Sequence, residues 1–541
     1  MKANKFFLGL ALIGAILTGC DNGQGPETNG DEAKAYMSVR ISMASSAGTR
    51  AGDGGFKEGS GDEQKINSTN SIFLFYDVDG KFVTSGQLAT QDPATGNVVT
   101  GGDHPGDIND YSAAAYIVLS GPDEELKKST QVLTVVNYSG YEGLKYLNLT
   151  EALKTVATTT TDPANAGFLM STSVYVDGGK IVNTTAIDGA VNIQQTPDLA
   201  KANSVDIYIE RASAKAQLLA TASPTKLTGD KKIVVDGVLS DVKVTITGWT
   251  LNNVHESTYL VKQLDNAWTS ADPITGWTAW NWAANHRSYW AKGYNWEATD
   301  NTGNTVYNHS EATVLPNGSA YMYCYENTVL TPACAKGEDK PNVNTVLIAA
   351  KIEVGDADAD TWEADKNLYE YAGVFYREDT YKKLIAEQLK EVLKIQKNGA
   401  DLTSADIVFN QQDGNVSLAG IKVNLSDASA TYTVDGATKG KDVVESLINN
   451  LPHVKEALGY ANGKCFYQIP VEHIGASGIT NYGMVRNHWY EINITKINHV
   501  GEPVYDLDVE IPEIPAQTQE YYLAAEIHVL SWHVVTQDVQ L

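Results

Sequence analysis

Cysteine is scarce in this chain: four in 541 residues, at 20, 324, 334 and 465, with no Cys-x-x-Cys pair. That excludes a disulfide framework and a zinc site of ordinary spacing. Cys324 and Cys334 stand at a separation that a hairpin disulfide can span, but buried thiols are the simpler reading. Basic residues are also few, 40 Lys and Arg against 66 Asp and Glu, for a formal net charge of −26. Phosphate backbones are held by Lys and Arg patches, so nucleic acid is excluded as a partner. Signatures of catalysis are missing too. There is no Gly-x-Ser-x-Gly elbow, no His-Glu-x-x-His and no glycine-rich phosphate loop, so no motif recommends an enzyme or a cofactor. Asp356, Asp358 and Asp360 begin like a calcium loop. Thr361 and Asn367 stand where such a loop needs Gly and Glu, which leaves a solvated acidic turn.

What is present begins with a leader. Lys2 and Lys5 precede an apolar stretch from Phe6 to Leu17, then Leu17-Thr18-Gly19-Cys20. The stretch is shorter than the roughly 20 residues of a membrane span. Small residues before a cysteine are the pattern of a lipoprotein signal, with Cys20 as the lipidated new N-terminus. Residues 21–34 are polar and read as a tether. In the next segment Met37, Val39, Ile41 and Met43 alternate with Ser38, Arg40 and Ser42, which predicts a half-buried strand. Small residues from Ala44 to Gly55 follow, presenting the Arg50-Ala51 bond in an extendable loop open to a trypsin-like protease.

Beyond residue 66, short β-rich runs alternate with turns, which predicts a mostly β chain of sandwich type. Helical spacing is expected near Leu149–Val156, Tyr381–Ile395 and Lys441–Leu458, the last interrupted by Pro452. The segment Ile207 to Lys215 reads as a hinge between two units. Trp277, Trp280, Trp282, Tyr289, Trp290, Tyr294 and Trp296 make either an aromatic sugar platform or, more simply, core packing. Ile511-Pro512-Glu513-Ile514-Pro515 is a stiff spacer. After it, residues 522–541 contain neither Gly nor Pro. Leu530, Trp532 and Val534 share one alternating phase and Val535, Val539 and Leu541 the other, so a shift of face is expected near Val534-Val535. Such a tail is either the last strand of its own domain or, as its spacer and terminal position favour, a strand that pairs with another molecule by β-augmentation.

The chain resembles the Bacteroidales fimbrillins, the subunits of type V pili, and within them the major shaft subunits of short (minor) fimbriae. The resemblance rests on the order of the Cys20 lipobox, Met37-Ser38-Val39 ahead of Arg50-Ala51-Gly52-Asp53, and Lys65-Ile66-Asn67. It continues through Ile209-Glu210-Arg211-Ala212, Asn285 to Trp290, Tyr323 to Thr328 with Thr345 to Ile348, Tyr482 to Tyr490, and the tail around Trp532. It implies two transthyretin-like β-sandwich domains with a few helices, a removable N-terminal strand (Met37, Val39, Ile41, Met43) and a C-terminal donor strand (Leu530, Trp532, Val534, Val535, Val539, Leu541). The expected division is a signal at 1–19, a propeptide at 20–50, sandwiches at 51–212 and 213–515, and the donor at 516–541. The precursor would be an outer-membrane lipoprotein cut after Arg50 by an Arg-specific protease of the gingipain kind. The mature form would lie in a surface fimbria serving adhesion and biofilm formation. Its partners would be copies of itself, accessory anchor and tip subunits, and host or bacterial surface receptors, with the membrane touched only through the precursor lipid. The competing readings are a glycan-binding surface lipoprotein and an accessory tip or anchor subunit.

Overall fold

The computed structural model describes residues 34–43, 56–57, 63, 65–89, 114–158, 167–220, 225–227, 232–271, 281–283, 286–332, 342–412, 419–473, 482–505, 507, 510–511 and 532–540. The chain is mostly β. The strands that position the site are β1 (Lys34–Met43), β2 (Phe56–Lys57), β3 (Ile72–Tyr76), β4 (Phe82–Leu88), β5 (Ala114–Ser120), β6 (Gln131–Val136), β7 (Met170–Thr172), β8 (Val205–Arg211), β9 (Ser213–Ala220), β10 (Val238–Asn252), β11 (Met322–Tyr325), β12 (Thr345–Asp356), β13 (Lys464–Pro470), β14 (His488–Lys496) and β15 (Trp532–Gln540).

In the N-terminal half the pairings run β6-β3-β4-β5-β1-β8-β7 and return from β7 to β6, so the sheet closes on itself. Its first hairpin follows from local chemistry. Asp77 Oδ1 accepts the amides of Asp79 and Lys81 at 3.0 and 2.8 Å, and Gly80 takes a φ of +75°, open to glycine at no steric cost. Strand β3 is Ile-Phe-Leu-Phe-Tyr and wholly buried. Phe73 and Phe75 point into the closed interior, while Ile72, Leu74 and Tyr76 support a second apolar layer with Leu133, Val135 and Leu144. Gly86 of β4 has no room for a side chain: a Cβ there would lie 2.5 Å from Ile117 Cγ2 and 2.7 Å from Val118 O. That close approach sets β4 against β5.

The C-terminal half is a two-layer packing. One layer runs β2-β15-β14-β9-β11 and the other is built on β10-β12-β13. Between them lie Ala214, Ala216 and Leu218 of β9, Tyr490, Ile492 and Ile494 of β14, and the inward residues of β10, β12 and β13. A separate apolar cluster, around Tyr369, Tyr381, Ile385, Leu389, Phe409, Val423, Val444 and Ile448, forms a helical lobe within the 213–515 span. It holds α1 (Glu378–Glu391), α2 (Lys441–Asn449) and α3 (Pro452–Lys455). Pro452 opens α3, where its missing N–H costs nothing. The helix expected near Leu149 is a single turn, Leu149–Leu153, with an Asn148–Glu151 capping box; Val156 already belongs to a strand.

The expected hinge is bonded and buried. Only Ala212, itself buried, separates β8 from β9. Lys262 Nζ meets Glu210 Oε2 at 2.6 Å and donates to Ser288 O at 2.9 Å, with both charged side chains inside. Arg211 donates to Glu63 O at 2.8 Å and to Asn487 Oδ1 at 3.2 Å. Arg486 reaches Glu326 at 3.4 Å. Removing one partner of such a pair leaves an uncompensated buried charge, costing about 3–5 kcal/mol, so the two halves hold one arrangement.

Candidate functional site

Strand β1 is an interior stave of the closed sheet although it lies ahead of the Arg50-Ala51 bond. On one side it pairs antiparallel with β5, Met37 opposite Ile117 and Val39 opposite Ala115. On the other it pairs parallel with β8, Val39 opposite Val205, Ile41 opposite Ile207 and Met43 opposite Ile209. Where β8 has not yet begun, Tyr36 and Met37 pair with Gln194 and Ile193. The alternation read from the sequence sets the faces: Met37, Val39 and Ile41 are completely buried, packed with Phe73, Phe75, Ile117, Ile207 and Ile209. On the opposite face Ser38 shares a hydroxyl hydrogen bond with Ser204 at 2.8 Å, and Arg40 donates to Asp206 at 2.6 Å in the open. Without β1, β5 and β8 become bare edges beside an exposed apolar channel, which is unfavourable in water.

The tail strand β15 lies in the other half. It pairs parallel with β14, Trp489 opposite Val534, Tyr490 opposite Val535 and Ile494 opposite Val539. Across its other edge it pairs antiparallel with β2, Phe56 opposite His533 and Lys57 opposite Trp532. Each of these strands therefore pairs with both an antiparallel and a parallel strand, β1 with a second short antiparallel pairing at Tyr36 and Met37, and their lengths are similar, ten residues in β1 and nine in β15. The irregularity expected near Val534-Val535 is elsewhere. β15 is continuous there, and the register slips on the partner strand between Ile494 and Lys496.

Residues 44–55, between β1 and β2, contain Arg50 and Ala51; these two, with Cys20, Leu530 and Leu541, lie outside the described residues, as do the side chains of Met43 and β15. Of the aromatic stretch, Tyr289 and Trp290 are fully buried and Trp296 is nearly so, packed with Val485, which assigns them to the core rather than to a platform. Trp277 and Trp280 lie outside the described residues. Asp356 Oδ1 accepts the amides of Asp358 and Ala359 in an ordinary acidic turn. Among the described residues no group of His, Cys, Asp and Glu is placed to hold a metal ion. Cys324 and Cys465 are buried thiols, and Cys334 lies outside the described residues.

One cluster beside the site has no mark in the sequence. Glu63 is buried, with its carboxylate 2.7 Å from Lys215 Nζ and accepting the Tyr323 hydroxyl at 2.6 Å. Burial alone would raise its pKa, but Lys215, Tyr323 and Arg211 together hold it below the usual range. Lys215 Nζ also lies 3.7 Å from the Tyr321 ring centre and 4.3 Å from that of Trp489. One signal was available for Trp489. Tyr490, Ile492 and Ile494 occupy the inward phase of β14, and a tryptophan in the opposite phase marks a second buried face.

Residues 459–538 match a family model described as major fimbrial subunit protein type IV, fimbrillin, C-terminal. The match spans β13, β14 and nearly all of β15. No curated protein matches the chain. Among solved structures, a candidate cell-adhesion protein from Parabacteroides distasonis is similar at 11% identity, over 59% of this chain and 76% of that one, with a TM-score of 0.28. Another from Bacteroides eggerthii has 13% identity over 61% and 78%, with a TM-score of 0.27. A candidate adhesin from Bacteroides ovatus has 12% identity over 75% and 97%, with a TM-score of 0.23. At such scores the likeness carries nothing about function.

Proposed function

We propose that this chain, whose residues 459–538 match the fimbrillin C-terminal model, is a fimbrillin: a shaft subunit exported as a lipoprotein through Cys20, cut after Arg50, and linked to its neighbours by strand exchange. The family makes it a structural, non-enzymatic protein of surface fimbriae that assembles with copies of itself. The seat of β1 supports the finer steps. A strand encoded ahead of a protease-sensitive bond fills an interior position, between an antiparallel and a parallel neighbour, with three fully buried apolar side chains. Its loss opens a channel one strand wide.

The tail is suited to refill that channel. It already lies between an antiparallel and a parallel strand, is of nearly the same length, and carries Leu530, Trp532 and Val534 at alternate positions. Burying each large apolar side chain contributes about 1.5–3 kcal/mol, and ladder hydrogen bonds add about 0.5–1.5 kcal/mol each. Channel and tail belong to different surfaces, so the contact between copies is heterologous and propagates as a filament. Possession of both features favours a shaft subunit over an anchor that keeps its strand or a tip without a donor. An Arg-specific protease, anchor and tip subunits, and surface receptors complete the proposed set of partners.

The test is Arg50→Ala, scored by N-terminal sequencing and by unboiled denaturing gels of surface material. The wild type is expected to begin at Ala51 and run as ladders, and the variant to stay uncut and monomeric. Ladders from an uncut variant would overturn the reading.

A further inference from the structure

The two strands in the proposed exchange are joined by packing within one molecule. Strand β14 serves two cores from its two faces. Tyr490, Ile492 and Ile494 enter the C-terminal core, whereas Trp489 belongs to the cluster that contains Met37, Val39 and Ile41 of β1. Tyr323 of β11 and Tyr321 just ahead of it pack against that same cluster, and the Tyr321 ring meets Trp489 edge to face at 5.4 Å. Lys215 stands opposite Trp489 on β9 and is fixed to Glu63, three residues before Ile66 of the cluster. On its other edge Trp489 is the register partner of Val534 of the tail.

We propose that Trp489, held by Lys215 and Glu63, couples the seat of β1 to the tail, so that loss of β1 weakens the hold of β14 on β15 and frees the tail of the same molecule. This rests on the strand-exchange reading and adds a regulation to it. While β1 is seated, Trp489 is packed from the N-terminal core and Glu63–Lys215 is shielded from water. When β1 leaves, the ring loses neighbours and water reaches the ion pair, whose attraction falls as the local dielectric rises. The ring and the ion pair brace one face of β14, and the tail is paired along an edge of that same strand. A subunit thereby keeps its tail parked until its own first strand is removed, and uncut copies cannot join.

The experiment uses full-length, uncleavable protein carrying Arg50→Ala, and follows hydrogen exchange at the amides of residues 533–539. Val39→Ala should speed that exchange at least fivefold with Trp489 present and less than twofold in Trp489→Ala. Leu133→Ala, in the other N-terminal apolar layer, should lower the thermal midpoint and leave tail exchange within twofold. If Trp489→Ala does not fold, Lys215→Met takes its place. Equal acceleration by Val39→Ala in both backgrounds, or a lowered midpoint with unchanged tail exchange, would overturn the coupling. Ladder formation by processed wild-type protein is scored separately. Ladders without coupling sink this inference alone, and coupling without ladders sinks the exchange reading.

Discussion

The hydroxyl of Tyr490 donates to Nδ1 of His473 at 2.7 Å, while Nε2–H of the same ring donates to the carbonyl of Tyr289 at 2.6 Å. A carbonyl can only accept, so Nε2 carries the proton, and the Tyr490 oxygen is left to accept the Val485 amide at 2.8 Å. The ring is thus seated as neutral imidazole. Burial brings its pKa down to about 3, and His488, whose Nδ1 faces Arg486 O, is also well below its ordinary value through burial.

Acid should therefore weaken the fold well above the carboxylate range. A histidine whose folded pKa is depressed takes up protons first in the unfolded chain, so its contribution is complete above about pH 6.5 and falls as pH drops below that, by about 1.4 kcal/mol per pH unit. His255, His286 and His309 are shifted the same way by burial and add to the slope. Thermal midpoints measured from pH 7.5 to 5 should fall steadily, and His473→Gln should make the slope shallower. A flat profile would show that these rings can be charged in place.

The neighbours of β1 differ greatly in what they contribute. Arg40 and Asp206 are about half exposed, and a pair of that kind contributes at most about 1 kcal/mol. Arg40→Ala should shift a urea midpoint only slightly. Val39→Asp places a carboxylate at a completely buried position of the same strand and should prevent β1 from seating, exposing sites to proteolysis beyond residues 44–55. Limited proteolysis read by mass spectrometry separates the two. Similar digestion patterns would contradict the seat described for β1.

Legibility varied with how local the signal was. Met37, Val39 and Ile41 could be assigned to a buried face because a period of two is written in adjacent residues. The double flank of β1 could not be read, since Ile193 and Val205 come from distant segments and only closure of the sheet brings them together. The helical lobe escaped notice although the spacing of Tyr381, Ile385 and Leu389 was visible, because periodicity tells which face is apolar and not which core it joins. Buried Lys215 and Glu63 carry no local mark at all, since a lysine between alanines in a strand reads as solvent-facing until its partner, 152 positions away, is known.

Gly86 gives a steric test of the β4–β5 approach. A side chain there meets two methyl groups and, at 2.7 Å, the Val118 carbonyl, which is backbone and cannot swing aside. Overpacking of this kind costs about 1–3 kcal/mol. Gly86→Val should lower the urea midpoint and, because β5 carries one edge of the β1 seat, raise the rate at which β1 amides exchange. Gly143→Ala, at an open position, is the control and should change neither. Equal stability of the two variants would mean that β4 and β5 lie further apart than the structure places them.

The two phases of the tail should behave differently. In the parked state Val535 and Val539 stand opposite Tyr490 and Ile494, both members of the C-terminal core, so this phase is matched to the molecule's own sheet. The vacated channel had Met37, Val39 and Ile41 at three successive alternate positions. Within 530–541 only Leu530, Trp532 and Val534 repeat that spacing with large apolar side chains, since Gln537 interrupts the other phase. Replacing Leu530, Trp532 and Val534 by Ser should abolish ladders from processed subunits and leave the uncut monomer's thermal midpoint nearly unchanged. Replacing Val535 and Val539 by Ser should loosen the parked tail, seen as faster exchange at residues 533–539, and reduce ladders only partly. Deleting Leu530 to Leu541 removes both phases and should yield cut monomers that accept a tail and donate none, so they terminate chains when mixed with wild type. Ladders from the deletion variant alone would show that subunits are joined by some other segment.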